Sequence, residues 1–188
     1  RMGEDRLALL KLRGVAVVEV PAPHVRKEGT FKRLKNPLTG PDADEADEAT
    51  WYTDGSLIMG KWTSLRCTGC RVVVVSARGK LIGYGFGSPP TRIATAAAAE
   101  LWAIDFVISS TPFPPKIKTD CMSVIVAAKA GTASATDGSR HLARIWRAIA
   151  DSIDEDISTL VQRGCLTWIP AHLPYAAVGE RKLPCGAR

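Results

Sequence analysis

Long apolar runs are missing from this chain. The best of them, Val72 to Val75, is strand-sized, far short of the roughly 18 residues a membrane helix needs, so no membrane association is expected. Nor does the start of the given sequence read as a signal peptide: Leu7 to Leu10 is too short an apolar region and runs into Lys11 and Arg13. Cysteine is sparse and odd in number, five in 188 residues. That argues against a secreted disulfide framework and for a reducing, intracellular setting, cytoplasmic or nuclear.

What is present is the composition of a globular protein, 46% hydrophobic and 23% charged with a net charge of +6. Wholesale disorder is excluded, and 188 residues bound the fold to one domain with room for an appendage. The charge is unevenly placed. The first 48 residues carry nine bases against nine acids, five of the acids in the run Asp42 to Glu48, so the excess lies from Ala49 onward. Pro37 to Glu48, with its Pro, Gly and crowded like charges, reads as a linker. Residues 1–36 read as an upstream remnant, with one short strand expected over Gly14 to Val20. The first residue is Arg, and the chain is expected to start inside a longer reading frame. The division is therefore 1–48, remnant and acidic linker, and 49–188, the domain.

From Ala49 the punctuation becomes regular. Trp51-Tyr52-Thr53 is a β-favouring run that ends at the turn signal Asp54-Gly55. Arg66 to Ser76 and Lys80 to Gly87 are strand candidates joined at Arg78-Gly79. Ala94 to Ser109 has apolar residues at Ala97, Leu101, Ile104 and Ile108, a helical spacing. Lys116 to Thr119 reads as a strand, Met122 to Ala130 as a helix, Gly131 to Gly138 as a loop and Ser139 to Ile157 as a longer helix. Leu166 to Ile169 is a last strand, stopped by Pro170. The order describes a mixed α/β domain whose sheet starts as a meander and continues through crossovers.

Three acids stand where acids are costly. Glu100 follows four alanines and shares the helix stripe of Ala97 and Ile104, which meets the sheet. Taken alone, it sits more naturally at the stripe's edge in water. Asp54 alone is a hairpin aspartate, and Asp120, between a strand and a helix, is an N-cap. Together they place two aspartates at strand ends and a glutamate on the helix packed against the same sheet. Converging carboxylates repel and are held ionised by a divalent cation. Oxygen-only ligands suit magnesium or manganese, which act in pairs in phosphodiester hydrolysis. The basic domain suits a polyanion.

The residues Tyr52-Thr53-Asp54-Gly55-Ser56, Ala99-Glu100-Leu101-Trp102-Ala103, Thr119-Asp120-Cys121 and Trp168-Ile169-Pro170-Ala171-His172, in this order and spacing, resemble the type 1 ribonuclease H family, in particular the domains of retrotransposon reverse-transcriptase polyproteins. The resemblance covers roughly Ala49 to His172. It implies an α/β, three-layer ribonuclease H-like fold, with a mixed five-stranded sheet and helices on both faces. It implies hydrolysis of the RNA strand of an RNA–DNA hybrid with two magnesium ions, manganese substituting. Asp54, Glu100 and Asp120 would be the metal ligands, with Asp54 bridging both ions. His172 would be the mobile catalytic histidine, and Gly55 and Ser56 would approach the 2′-hydroxyl. The chain would be covalently linked to further polyprotein domains.

Two departures qualify what the resemblance implies. The family's fourth carboxylate, opening a final helix, has no counterpart: the only acid after His172 is Glu180, in Val178-Gly179-Glu180-Arg181-Lys182. The final helix is therefore expected to be absent, with weak magnesium binding and slow cleavage. Alanines Ala96 and Ala97 stand where the family often places amides that touch base edges. The alternatives are a catalytically impaired nucleic-acid-binding remnant, a related nuclease or integrase acting on DNA, and, distantly, a dithiol oxidoreductase using Cys67 and Cys70. Those two cysteines fall on opposite faces of a strand and read as small apolar residues. Arg140, Arg144 and Arg147 read as a solvated helix face, with Arg147 pairing Asp151, and Trp51, Trp102, Trp146 and Trp168 as core.

Overall fold

Strict alternation in Cys67–Val75 turns Cys70, Val72 and Val74 to one side and Arg71 and Val73 to the other, and this sets the sheet's two faces. The computed structural model describes residues 29–39, 41, 43–58 and 67–171. The strands are β1 (Thr30–Lys35), β2 (Thr50–Ile58), β3 (Cys67–Val75), β4 (Leu81–Ser88), β5 (Lys116–Thr119) and β6 (Leu166–Trp168). They form one sheet in the order β1-β4-β3-β2-β5-β6. The pairs β2–β3, β3–β4 and β1–β4 are antiparallel, whereas β5 runs parallel to β2, and β6 to β5. The direction of pairing therefore changes at β2.

Among the described residues the sheet has six strands where five were expected. The additional one, β1, comes from the segment assigned to the upstream remnant. Its Phe31 stacks on Phe106 with ring centroids 3.8 Å apart, and Arg33 lies over the same ring. The β4 sequence makes room for it. A Cβ at Gly85 would lie 2.6 Å from Phe31, and one at Gly87 2.8 Å from Phe31 and 2.7 Å from Trp102. Within the stretch read as a linker, Pro37 packs against Gly83 and Ala46 is buried.

Five helices follow: α1 (Ala96–Ser110), α2 (Met122–Lys129), α3 (Gly131–Ala135), α4 (Ala143–Ile153) and α5 (Ser158–Gln162). Thr95 caps α1 by accepting the Ala98 N–H at 3.1 Å. Leu101, Ile104 and Val107 of α1, Trp146 and Ile149 of α4, and Leu160 of α5 join Trp51, Val72, Val74, Ile117 and Leu166 in one core. Among the described residues the helices thus share one face of the sheet; the second helical layer expected from the resemblance is not among them. The expected loop at Gly131 contains α3. The expected helix from Ser139 to Ile157 is shortened to Ala143–Ile153: it starts four residues late, and Asp154 adopts φ 52° and ends it in a left-handed cap.

Asp105 of α1 is half-buried, and desolvation pushes its carboxyl up to about 6. A folded-state value above the ordinary one means the native state binds the proton more tightly. This group's stabilising contribution is therefore present below pH 3.8 and is lost as pH rises to about 6. Asp105→Asn is expected to stabilise the protein at pH 7 by about 1 kcal/mol, since solvent screens this partly exposed carboxyl, and to flatten that part of the stability profile, as read by urea denaturation at several pH values.

Candidate active site

The site forms where two parallel strands part. The last registered pair of β2 and β5 is Tyr52 with Lys118. The next residues, Thr53 and Thr119, are both buried and both face α1. Across this fork lies Glu100, only 2% exposed. The Thr53 hydroxyl donates to Glu100 Oε1 at 2.5 Å, and the Thr119 hydroxyl donates to the same oxygen at 2.6 Å. Glu100 Oε2 is buried and has no hydrogen-bond partner among the described residues. Of the two sequence readings of Glu100, the one that turns it into the core is the one observed.

Burial pushes the Glu100 carboxyl above its ordinary range. The two threonine hydroxyls oppose that shift, and the negative charges of Asp120 and Asp54 add to it. The three acids picked out from sequence therefore share one electrostatic field. Among the described residues, no three His, Cys, Asp or Glu side chains are gathered tightly enough to hold a metal ion.

Asp54 is not a turn residue. β2 continues through it to Ile58, and the exposed Asp54 lies across from Arg71 of β3. Gly55 faces α1, where a Cβ would lie 2.3 Å from the Glu100 nitrogen and 2.5 Å from the Ala96 carbonyl oxygen. It is glycine because a helix backbone crosses directly over it. Ser56 is exposed and donates to the Gly69 carbonyl at 3.3 Å. Asp120 is not the N-cap of α2, a place taken by Cys121. It sits on the turn between β5 and α2, half-buried, and its carbonyl accepts the Trp168 indole N–H at 3.0 Å. Trp168 is 39% exposed and is a clamp on that turn rather than core, unlike Trp51 and Trp146. His172 lies outside the described residues, as do Glu180 and the Gly14 to Val20 strand.

No protein-family model and no curated protein matches the chain. Solved structures do. The foamy viral protease–reverse transcriptase, in a structure with an RNA/DNA hybrid, aligns with a TM-score of 0.50 at 16% identity, covering 92% of this chain and 25% of that one. The solution structure of the prototype foamy virus RNase H domain aligns with a TM-score of 0.45 at 21% identity, covering 69% of this chain and 82% of that domain. The chain has an α/β ribonuclease H-like fold. It spans a quarter of the length of the viral protease–reverse transcriptase.

Within this ribonuclease H-like fold, the contacts that sequence reasoning missed are those of Thr53 and Thr119 with Glu100 and of Trp168 with the Asp120 carbonyl. The available signal was a repeated Thr-Asp dipeptide, Thr53-Asp54 and Thr119-Asp120. The dithiol reading falls away. Cys70 is buried, its thiol pushed up to about 12 chiefly by desolvation, which suppresses the thiolate a dithiol oxidoreductase requires. Arg147 donates to the Thr136 carbonyl at 3.3 Å, and Arg140 and Arg144 are exposed.

Proposed function

We propose that this chain is a divalent-cation-dependent nuclease that hydrolyses the RNA strand of RNA–DNA hybrids, working as the ribonuclease H domain of a larger retroelement-type polyprotein inside the cell. The observation that carries this reading is the buried Glu100, its Oε2 without a partner among the described residues, set in the field of Asp54 and Asp120. A buried carboxylate oxygen left in this way is costly unless a cation completes it. The donor set is hard and all-oxygen, which fits magnesium, with manganese as a substitute. Asp54, Glu100 and Asp120 would be the residues that hold the ions. Such ions, when bound, activate water and stabilise the leaving oxygen in phosphodiester hydrolysis.

The chain's own residues supply orientation. Thr53 and Thr119 fix one oxygen of Glu100, and the Trp168 indole holds the peptide that carries Asp120. Arg71, across from Asp54, offers a phosphate contact on the same sheet face, beside a groove of about 520 Å³ that Ser56 also lines. The backbone at Gly55 and Ser56 would approach the 2′-hydroxyl, and His172 would assist water handling or product release.

The second reading is a nucleic-acid-binding protein with impaired catalysis. It is favoured by the lack, among the described residues, of a tight three-acid cluster. One assay separates the two: magnesium-dependent cleavage of a labelled hybrid, duplex RNA and duplex DNA by the wild type and by Asp54→Asn. Slow cleavage of the hybrid alone is expected, falling at least about 100-fold in the variant, since loss of a ligand exceeds the 10–100-fold typical of its supporting groups. A hybrid that is bound and never cut establishes the second reading, and cleavage of duplex DNA in preference refutes the hybrid assignment.

A further inference from the structure

We infer that Thr53 and Thr119 are positioning residues: by occupying Oε1 of Glu100 they leave Oε2 as the oxygen offered to a divalent cation. The inference rests on the nuclease reading above. A carboxylate has two chemically equivalent oxygens, and in water either can serve as ligand. Here the equivalence is broken. Both hydroxyls donate to Oε1, at 2.5 and 2.6 Å, and none of the described residues donates to Oε2. Two donors occupy the two lone-pair directions of one oxygen, so that oxygen has none left for a cation.

The direction of the Thr119 proton is fixed by its neighbours. Thr119 Oγ1 accepts the Cys121 N–H at 3.1 Å, which leaves the hydroxyl proton for Glu100. The same contact closes the turn that bears Asp120, and the Thr119 carbonyl accepts the Ile169 N–H at 2.9 Å. One side chain therefore ties Glu100 to the peptide presenting Asp120. Thr53 makes the corresponding tie on β2. In a strand, successive side chains point to opposite faces. Thr53 turns inward to the helix, 6% exposed, whereas Asp54 is on the outer face. Each Thr-Asp pair thus sends one residue to brace the glutamate and leaves the next as an acid of its own.

The test uses the whole chain with Thr53→Val, Thr119→Val, Thr53→Ser and Thr119→Ser. Valine keeps the shape and removes the hydroxyl; serine keeps the hydroxyl. Magnesium binding is measured by titration calorimetry without nucleic acid, and hybrid cleavage is measured alongside. Each valine variant is expected to bind magnesium about 10–100-fold more weakly, the range for groups that support a metal ligand, with kcat falling and KM for the hybrid little changed. The serine variants are expected to recover most of that loss. Valine variants that keep the wild-type circular dichroism and magnesium affinity overturn the inference, as do serine variants as impaired as valine. If Thr119→Val does not fold, the Thr53 pair decides by the same criteria. A wild type that binds no magnesium removes the nuclease reading together with this inference, whereas wild-type binding unaltered by valine removes this inference alone.

Discussion

Glu100→Gln is expected to make the protein more stable and the proposed nuclease inactive. The two effects share one origin. Glu100 is 2% exposed, and burial with two neighbouring aspartates disfavours its charged form. Keeping such a charge in the interior costs several kcal/mol even after relaxation. Glutamine preserves the shape and a carbonyl oxygen that accepts from Thr53 and Thr119. It places an amide where Oε2 lies, and a buried donor left unpaired costs about 1–3 kcal/mol. The balance favours the amide by about 1–3 kcal/mol, which at 2–4 °C per kcal/mol raises the melting temperature by roughly 2–12 °C. Hybrid cleavage is expected to fall at least about 100-fold, because a neutral amide is a poor partner for a hard cation. A lower melting temperature would show that the carboxylate is held for stability rather than for function. Activity sites that carry such a penalty are the usual ground of a stability–activity trade-off.

Much of the domain was legible because its signals are local. The β3–β4 hairpin announced itself through alternation and the turn at Gly79, which has φ +82°. Helix α1 followed from its spacing, and β5 and α2 from the proline boundary before Lys116 and the residues after Asp120. The three acids were legible only as a set, since each had a better explanation alone. What failed was whatever depended on a distant partner. β1 reads Thr-Phe-Lys-Arg-Leu-Lys, a basic edge strand with one inward anchor, Phe31. Its real trace is on the other strand, in Gly83, Gly85 and Gly87 alternating with Tyr84 and Phe86, where the missing side chains make room for Pro37, Phe31 and Trp102. Asp154 ended a helix that periodicity alone would have continued, in a left-handed conformation that an aspartate tolerates better than most residues.

The reading of Asp54-Gly55 failed for a related reason. Asp-Gly after a β run is the strongest short hairpin signal, and nothing local shows that a helix passes over the glycine. The Thr-Asp dipeptides were equally silent, because the partner of both threonines is Glu100, 47 and 19 residues away in sequence. The three candidate acids thus stood out from composition and place. The residues that aim the charge became visible only with the fold.

Gly55→Ala is expected to be the most damaging single-methyl change in the described sheet. The added Cβ would stand 2.3 Å from the Glu100 nitrogen, 2.5 Å from the Ala96 oxygen and 2.8 Å from the Glu100 Cα. All three are backbone atoms of α1, so no rotamer change relieves the contact and the helix itself must lift from β2. Overpacking of a core typically costs about 1–3 kcal/mol and sometimes more; with main chain on both sides of the clash, about 3 kcal/mol is expected, or roughly 6–12 °C in melting temperature. The displacement is directed at the site. Glu100 rides on the segment that must move, so the bonds from Thr53 and Thr119, now 2.5 and 2.6 Å, lengthen together. Cleavage and magnesium affinity are therefore expected to fall further than the loss of stability alone would produce, measured at a temperature where the variant is still folded. Gly138→Ala is the control: a Cβ there meets nothing within 4 Å, and its effect is expected to stay within about 0.5 kcal/mol. A Gly55→Ala protein that melts with the control and binds magnesium like the wild type would mean that α1 does not rest on β2 through this glycine. The geometry assigned to Glu100 would then fall with that contact.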